Sequence, residues 1–240
     1  MEKEGIIQKS RSPWSSPIVL IKKKNKKLRF CVDYRKLNSI TKKDTYLLPY
    51  IDEMLDNLEK AKWFISLDLT SGYWQVEVKE ENKEKTAFIT KFSLYEFNIM
   101  LFRLCNAPST FQRLMDVVLE PALWKYAMVY IDDVNIYSET FEKHIEHLKS
   151  VFALIKNTNL RINPEKCHFC TNEMQFSEHI VNINRIKPNP QKVEKLEKLP
   201  SPKTITQLRV FIGLASYYCQ FIENFAKKAA PLNKLLQKDV

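Results

Sequence analysis

Glycine is almost missing from this sequence: only Gly5, Gly72 and Gly213 occur in 240 residues. No Gly-rich phosphate loop of the P-loop or dinucleotide-binding kind can be built from that set. A chain that handles nucleotides on these terms must hold their phosphates with metal ions and basic side chains. Long apolar runs are missing too. None approaches the ~20 residues that cross a bilayer, and the N-terminal Met-Glu-Lys-Glu-Gly has no apolar signal core. Cysteine is sparse and scattered, at an odd count of five, which fits thiols kept reduced inside a cell. Cys167-His168-Phe169-Cys170 has CxxC spacing. No second pair follows to complete the four ligands of a closed zinc site, so Cys167 reads as a packing residue. The expectation is an intracellular, soluble protein.

What is present is an ordinary apolar share, 45% hydrophobic, and a basic excess of 38 Lys and Arg over 28 Asp and Glu, net +10. The length suffices for one large domain or two smaller ones. The charge favours a polyanionic partner, but by itself it does not separate nucleic acid from an acidic membrane surface.

Periodicity places the elements. Ile18 to Ile21, a lysine-rich run through Lys27, and an alternating stretch from Leu28 read as a hairpin with a charged tip. Ile51, Met54, Leu55 and Leu58 have helical spacing. Phe64 to Leu69 reads as a buried strand with Asp68 near its end, and Tyr73 to Val78 alternates like a further strand. Ser109 or Thr110 caps a helix carrying Phe111, Leu114, Met115 and Val118. Asp132-Asp133 interrupts the apolar stretch from Ala127 to Tyr137 as the tip of a hairpin, and residues 140–156 form an amphipathic helix. His144 and His147 on that helix lack a third metal ligand and read as surface residues. From about residue 184 the composition turns helical, with Asn189-Pro190 as a helix start and Thr204-Ile205-Thr206-Gln207 as a capping box.

Three carboxylates lie in apolar, strand-like surroundings: Asp68, Asp132 and Asp133. Burying a carboxylate costs several kcal/mol unless it is paired, and a hard cation is one solution. Two Mg²⁺ ions ~3.5–4 Å apart run in-line phosphoryl displacements. Asp68 and Asp132 stand 64 residues apart, so only a sheet brings them together: a strand ending in Asp beside a hairpin tipped with Asp-Asp. An Asp-Asp pair alone reads better as a solvated turn; within Tyr130-Ile131-Asp132-Asp133 between apolar strands the two readings stand level.

With Ser12-Pro13-Trp14-Ser15-Ser16-Pro17, Leu28-Arg29-Phe30-Cys31-Val32-Asp33-Tyr34-Arg35-Lys36-Leu37-Asn38, Leu67-Asp68-Leu69-Thr70-Ser71-Gly72-Tyr73-Trp74-Gln75-Val76, Leu104-Cys105-Asn106-Ala107-Pro108-Ser109-Thr110-Phe111-Gln112, Tyr130-Ile131-Asp132-Asp133 and Phe211-Ile212-Gly213-Leu214-Ala215-Ser216-Tyr217-Tyr218, the chain resembles the reverse transcriptase of gypsy-type long-terminal-repeat retrotransposons, related to retroviral enzymes. The resemblance runs over roughly residues 10–237. It implies an α+β right-hand polymerase fold: fingers at about 1–45 and 77–106, a palm with an antiparallel sheet at about 46–76 and 107–184, and a helical thumb or connection region at 185–240. It implies RNA-directed DNA polymerase activity, with Asp68, Asp132 and Asp133 as catalytic ligands of two Mg²⁺ ions, or Mn²⁺ in their place. Arg29 and either Lys23 or Lys24 would meet the triphosphate of a deoxynucleotide. Tyr73 and Phe102 would meet its sugar, and Phe176 and His179 would belong to the primer-gripping hairpin. Partners would be an RNA or DNA template with its primer, and no membrane. Such polyproteins carry ribonuclease H and integrase domains whose signatures are not in this sequence, so it reads as a polyprotein fragment. The implied location is cytoplasmic, in virus-like particles for a functional element, with the nucleus left open.

Several positions depart from the pattern that the resemblance sets. Met-Pro-Phe-Gly-Leu reads Met100-Leu101-Phe102-Arg103-Leu104, Leu-Gly-His reads Ser177-Glu178-His179, and the end of Tyr-Tyr-Arg-Arg-Phe reads Tyr218-Cys219-Gln220-Phe221. Asn135 stands where an apolar residue is usual. A glycine commonly marks a positive φ, and Glu178 adds negative charge near the expected path of the primer. The alternative reading is therefore a decayed copy that keeps the fold and binds nucleic acid without polymerising.

Overall fold

The structure, a computed structural model, describes residues 1–22, 28–183 and 185–236, with the backbone only of residues 22, 28 and 29. The chain opens with β1 (Ile7–Lys9), the hairpin strands β2 (Ile18–Lys22) and β3 (Leu28–Val32), then α1 (Arg35–Ile40) and α2 (Ile51–Asn57). Next come β4 (Trp63–Asp68), α3 (Glu80–Lys83), β5 (Phe88–Ile89) and β6 (Leu94–Phe97). The centre holds α4 (Ala107–Val118), β7 (Ala127–Tyr130), β8 (Asp133–Ser138) and α5 (Phe141–Asn157). It is followed by β9 (His168–Thr171), β10 (Glu173–Phe176), β11 (His179–Asn182) and β12 (Arg185–Pro188), and the chain closes on α6 (Pro190–Glu197), α7 (Ile205–Tyr217) and α8 (Phe225–Lys234).

The central sheet has the order β7-β8-β4-β9, with each of its pairs antiparallel. Both of its faces are covered, which is why Phe64-Ile65-Ser66-Leu67 reads as a near-continuous apolar run. Ile65, Leu67, Val134 and Ile136 pack with Phe111, Met115 and Val151 of α4 and α5. Phe64, Met128 and Tyr137 pack the opposite way with Met54 and Leu55 of α2 and with Met174, Phe176 and Val181 of the β10-β11-β12 sheet. Each fully buried side chain of this size contributes roughly 1.5–3 kcal/mol. A third core gathers Val32, Tyr34, Phe88, Phe97 and Leu101 around the β1-β6-β5 sheet and the β2-β3 hairpin.

Four expectations change. Gly72–Gln75 form a 3₁₀ turn entered through Ser71 at φ 51, rather than a strand. Only residues 76–78 are extended, hydrogen-bonded to the 98–100 segment. Of the alternating set Trp74, Val76 and Val78, the two valines pack against the central core, whereas Trp74 lines a cleft and Tyr73 is the buried residue of the turn. Helix α4 starts at Ala107, ahead of Ser109, since Pro108 fits the first turn, where its missing N–H costs nothing. Residues 185–188, expected in the helical part, extend the sheet beside β11, so helices begin at Pro190. His144 is fully buried instead of lying on the surface: Ser138 Oγ sits 2.9 Å from its Nδ1 and 2.8 Å from Nδ1 of His147.

Candidate active site

Asp68 is the last residue of β4, and its cross-strand partner is Asp133, the first of β8. Tyr130 pairs with Asp133 as well, so the hairpin turn is Ile131-Asp132 and Asp133 already belongs to the strand. The register thus sets all three carboxylates at one end of the sheet. Ile131 takes φ 57. A β-branched residue there is a genuine outlier, held only where its surroundings over-determine it. The surroundings are Gln112, fully buried on α4. Its Oε1 accepts from the Ile131 N–H at 2.8 Å, and its Nε2 donates to the Val129 carbonyl at 3.0 Å and to Asp116 at 2.9 Å. Gln112 was part of the resemblance, but no spacing signalled this clamp.

Gly72 closes the site from the other side. A Cβ on it would lie 3.0 Å from Asp132 Oδ1 and 3.1 Å from the Phe111 ring, so the turn and the 3₁₀ segment approach as closely as they do only without a side chain. Tyr73 is buried, with its ring 4.8 Å from Phe102 and 5.3 Å from Phe111. Burial and the nearby Asp132 push its phenol up to about 12.

Asp132 Oδ1 is buried without a hydrogen-bond partner. Burial, then Asp133 and Asp68, raise the Asp132 carboxyl to about 6 against the opposing pull of Lys166. Burial and Asp68 also raise Asp133, although its side chain ends at the surface. Lys166, which the sequence did not flag, pairs with both oxygens of Asp68 at 3.2 and 3.1 Å. Among the described residues no three acidic, histidine or cysteine side chains are already closed into a ligand cage. Mutually repelling carboxylates with an orphaned oxygen are nonetheless a donor set that suits a hard cation, which takes oxygen ligands and keeps waters or phosphates in its shell.

Two clefts meet here. One, of about 580 Å³, is lined by Phe30, Ser71, Trp74, Phe102, Arg103 and Lys166. The other, of about 450 Å³, joins Asp68, Asp133 and Lys166 to Gln175 and Ser177. Arg29 lies in β3 opposite Ile21; its side chain, and Lys23 and Lys24 entirely, lie outside the described residues. Phe176 and His179 are buried at the base of the β10-β11 hairpin. Phe176 packs against Tyr130 at 6.2 Å, and His179 packs among Tyr217, Tyr218 and Phe221. Both His179 ring nitrogens lack partners, and burial lowers its pKa. The turn between them, Ser177-Glu178, is what the hairpin presents. Glu178 is neutralised by Lys192 at 2.6 Å, which offsets the repulsion expected of it. Arg103 takes φ 77, a glycine-favoured conformation, with its carbonyl accepting from Asn38 Nδ2 at 2.7 Å. Leu101 fills the third core, while Asn135 is buried with both amide atoms unpartnered.

Residues 21–198 match the family described as reverse transcriptase (RNA-dependent DNA polymerase). The chain is 42% identical over 243 residues to the retrovirus-related Pol polyprotein from transposon 297 of Drosophila melanogaster, covering 99% of this chain and 23% of that protein. It is 40% identical over 241 residues to the Pol polyprotein from transposon gypsy of the same organism, covering 98% and 23%. It therefore spans about a quarter of the length of these relatives. Among solved structures, the foamy viral protease-reverse transcriptase dRH in complex with double-stranded DNA matches with a TM-score of 0.88 at 23% identity, over 98% of this chain and 41% of that one. The foamy viral enzyme in complex with an RNA/DNA hybrid matches with a TM-score of 0.82 at 22% identity, over 98% and 32%. The mixed helices and antiparallel sheets are thus the α+β polymerase fold of reverse transcriptases. The chain belongs to the reverse transcriptase (RNA-dependent DNA polymerase) family, in the branch carried by gypsy-type transposon Pol polyproteins.

Proposed function

We propose that this chain is an RNA-directed DNA polymerase that adds deoxynucleotides to a primer 3′-hydroxyl. The observation that carries this reading is the cross-strand pair Asp68–Asp133 beside a strained turn bearing Asp132, whose buried oxygen has no partner. Two Mg²⁺ ions, or Mn²⁺ in their place, bound by Asp68, Asp132 and Asp133 would activate the attacking hydroxyl and neutralise charge on the leaving pyrophosphate. Asp132, raised to about 6, is ionised at neutral pH and can serve as a ligand. Tyr73 and Phe102 form an aromatic floor for the nucleotide sugar, where a 2′-hydroxyl would clash. Arg29, with Lys23 or Lys24, meets the triphosphate, where cations stabilise the charge that builds during transfer. The Ser177-Glu178 turn, set by Phe176 and His179, guides the primer terminus.

Fingers at about 1–45 and 77–106, a palm at about 46–76 and 107–184, and a thumb from 185 complete the proposed hand, with β12 joining the thumb to the palm. The template–primer backbone lies across it, held mainly through its phosphates. The net charge of +10 supports that partner. A copy that binds without polymerising is the competing reading, and the Lys192–Glu178 pair removes one of its supports. The test is primer extension on an RNA template with deoxynucleotides. Mg²⁺-dependent synthesis that a chelator abolishes supports the polymerase. Binding without any extension supports the competing reading.

A further inference from the structure

The segment that carries Lys166 is stitched to the end of β4 on both sides of Asp68. Leu69 bridges Ile162, Ser66 pairs with His168, and the Asn163 N–H donates to the Asp68 carbonyl at 2.8 Å. Pro164–Lys166 make one 3₁₀ turn between these ties, closed by the Cys167 thiol donating to the Asn163 carbonyl at 3.1 Å. The Gln75 amide locks the base of the segment. Its Oε1 accepts from the Arg161 N–H at 2.6 Å, and its Nε2 donates to the carbonyls of Thr70 and Arg161. The backbone beneath Lys166 is therefore fixed against the carboxylate site, while its side chain, 64% exposed, is free to swing. Among the described residues it is the one ion-pair partner that any of the three carboxylates has. It also lines both clefts that meet at the site.

We propose that Lys166 is a displaceable counter-ion: it holds Asp68 while no metal is bound and yields that carboxylate to an incoming divalent cation. The inference rests on the reading of Asp68, Asp132 and Asp133 as metal ligands. Three carboxylates and one ammonium leave two net negative charges, so the site stays attractive to a divalent ion while the repulsion among its carboxylates is relieved. A cation already on Asp68 opposes the metal in two ways, by occupying its ligand and by like-charge repulsion. The ammonium side of the pair is in solvent, although Asp68 is only 24% exposed, so water screens the pair and its hold is weak enough to exchange. On release the ammonium remains at the mouth of the cleft formed by Ser71, Phe102 and Arg103.

The experiment is a Mn²⁺ titration of the nucleotide-free chain, read by the electron paramagnetic resonance of free Mn²⁺. It is run at about pH 8, well above the ordinary carboxylate range. Lys166→Met is expected to tighten Mn²⁺ binding roughly two- to fivefold, the factor that an exposed ion pair of up to ~1 kcal/mol corresponds to. Lys166→Arg, which keeps the charge, is expected to bind like the wild type. Circular dichroism checks that each variant is folded. Unchanged or weaker binding in Lys166→Met, with wild-type binding that Asp132→Asn abolishes, overturns the counter-ion role and leaves the metal site standing. Binding indifferent to Asp132→Asn overturns both.

Discussion

Ile131 shows how much the site depends on single residues. Its positive φ turns the chain in the two positions between Tyr130 and Asp133, which puts Asp132 at the tip while Asp133 stays in register with Asp68. Gly72 makes room for the result. Gly72→Ala would put a Cβ 3.0 Å from Asp132 Oδ1 and 3.1 Å from the Phe111 ring, so the carboxylate and the ring have to give by a few tenths of an ångström. A displacement near 1 Å costs on the order of 10²-fold in rate, so a shift of a few tenths costs roughly three- to fivefold. Steady-state primer extension by the alanine variant is expected to drop by about that factor, with its melting temperature shifting far less than its activity.

Asp132 also links stability to pH. Its carboxyl titrates at about 6 in the fold, against an ordinary value of 3.8. A group that binds its proton more tightly when folded supports the fold at low pH, and that support is lost as pH rises toward the folded value. Without metal, the melting temperature of the wild type should therefore fall, relative to Asp132→Asn, between about pH 4 and pH 6. Added Mg²⁺ should restore it above that window, since a ligand that binds only the folded chain stabilises it. Calorimetric scans across pH, with and without Mg²⁺, measure both effects.

Among elements, α4 does more than cover the sheet. Phe111 and Met115 anchor it in the core, and Gln112 ties it to the carboxylate hairpin through two hydrogen bonds, with a third to Asp116 of the same helix. Gln112→Ala strands the Ile131 N–H and the Val129 carbonyl, at roughly 1–3 kcal/mol per unsatisfied buried group. Chemical denaturation should show the chain destabilised by at least that amount, and primer extension should be lost with the turn geometry. The helix itself was legible, because apolar residues at helical spacing mark one buried face. The clamp was not, since a buried glutamine has no periodic signature. The central strand β4 was legible for a similar reason: it is covered on both faces, so its apolar run is nearly continuous. The segment 72–78 misled because only its alternating valines, Val76 and Val78, lie in the short extended stretch, and a 3₁₀ turn precedes them. His144 misled because its partner, Ser138, lies on the neighbouring strand, where a helical wheel does not reach. Lys166 was invisible because the ties that fix it come from the far end of β4.

At the scale of the whole molecule, the three cores divide the work. The central core fixes the carboxylate end of the sheet, and the third core carries the strand with Arg29 and the loop with Phe102 and Arg103. His179 joins the β10-β11 hairpin to the aromatic residues at the end of α7. The fold was readable from the carboxylates and the ordered motifs around them. The departures at Leu101, Arg103 and Glu178 take their meaning from surroundings that a linear sequence does not display: a core position, a left-handed residue braced by Asn38, and a carboxylate paired with Lys192. None of these breaks the alignment of Asp68, Asp132 and Asp133. The most direct test of that alignment compares Asp132→Asn with the wild type on an RNA template annealed to a DNA primer, measuring binding and extension side by side. The wild type is expected to extend the primer with Mg²⁺, and Asp132→Asn to bind the hybrid with similar affinity yet extend it at least a hundredfold more slowly, the order of ~3 kcal/mol in the barrier. Equal extension by the two proteins, or binding without extension by the wild type, would contradict that expectation.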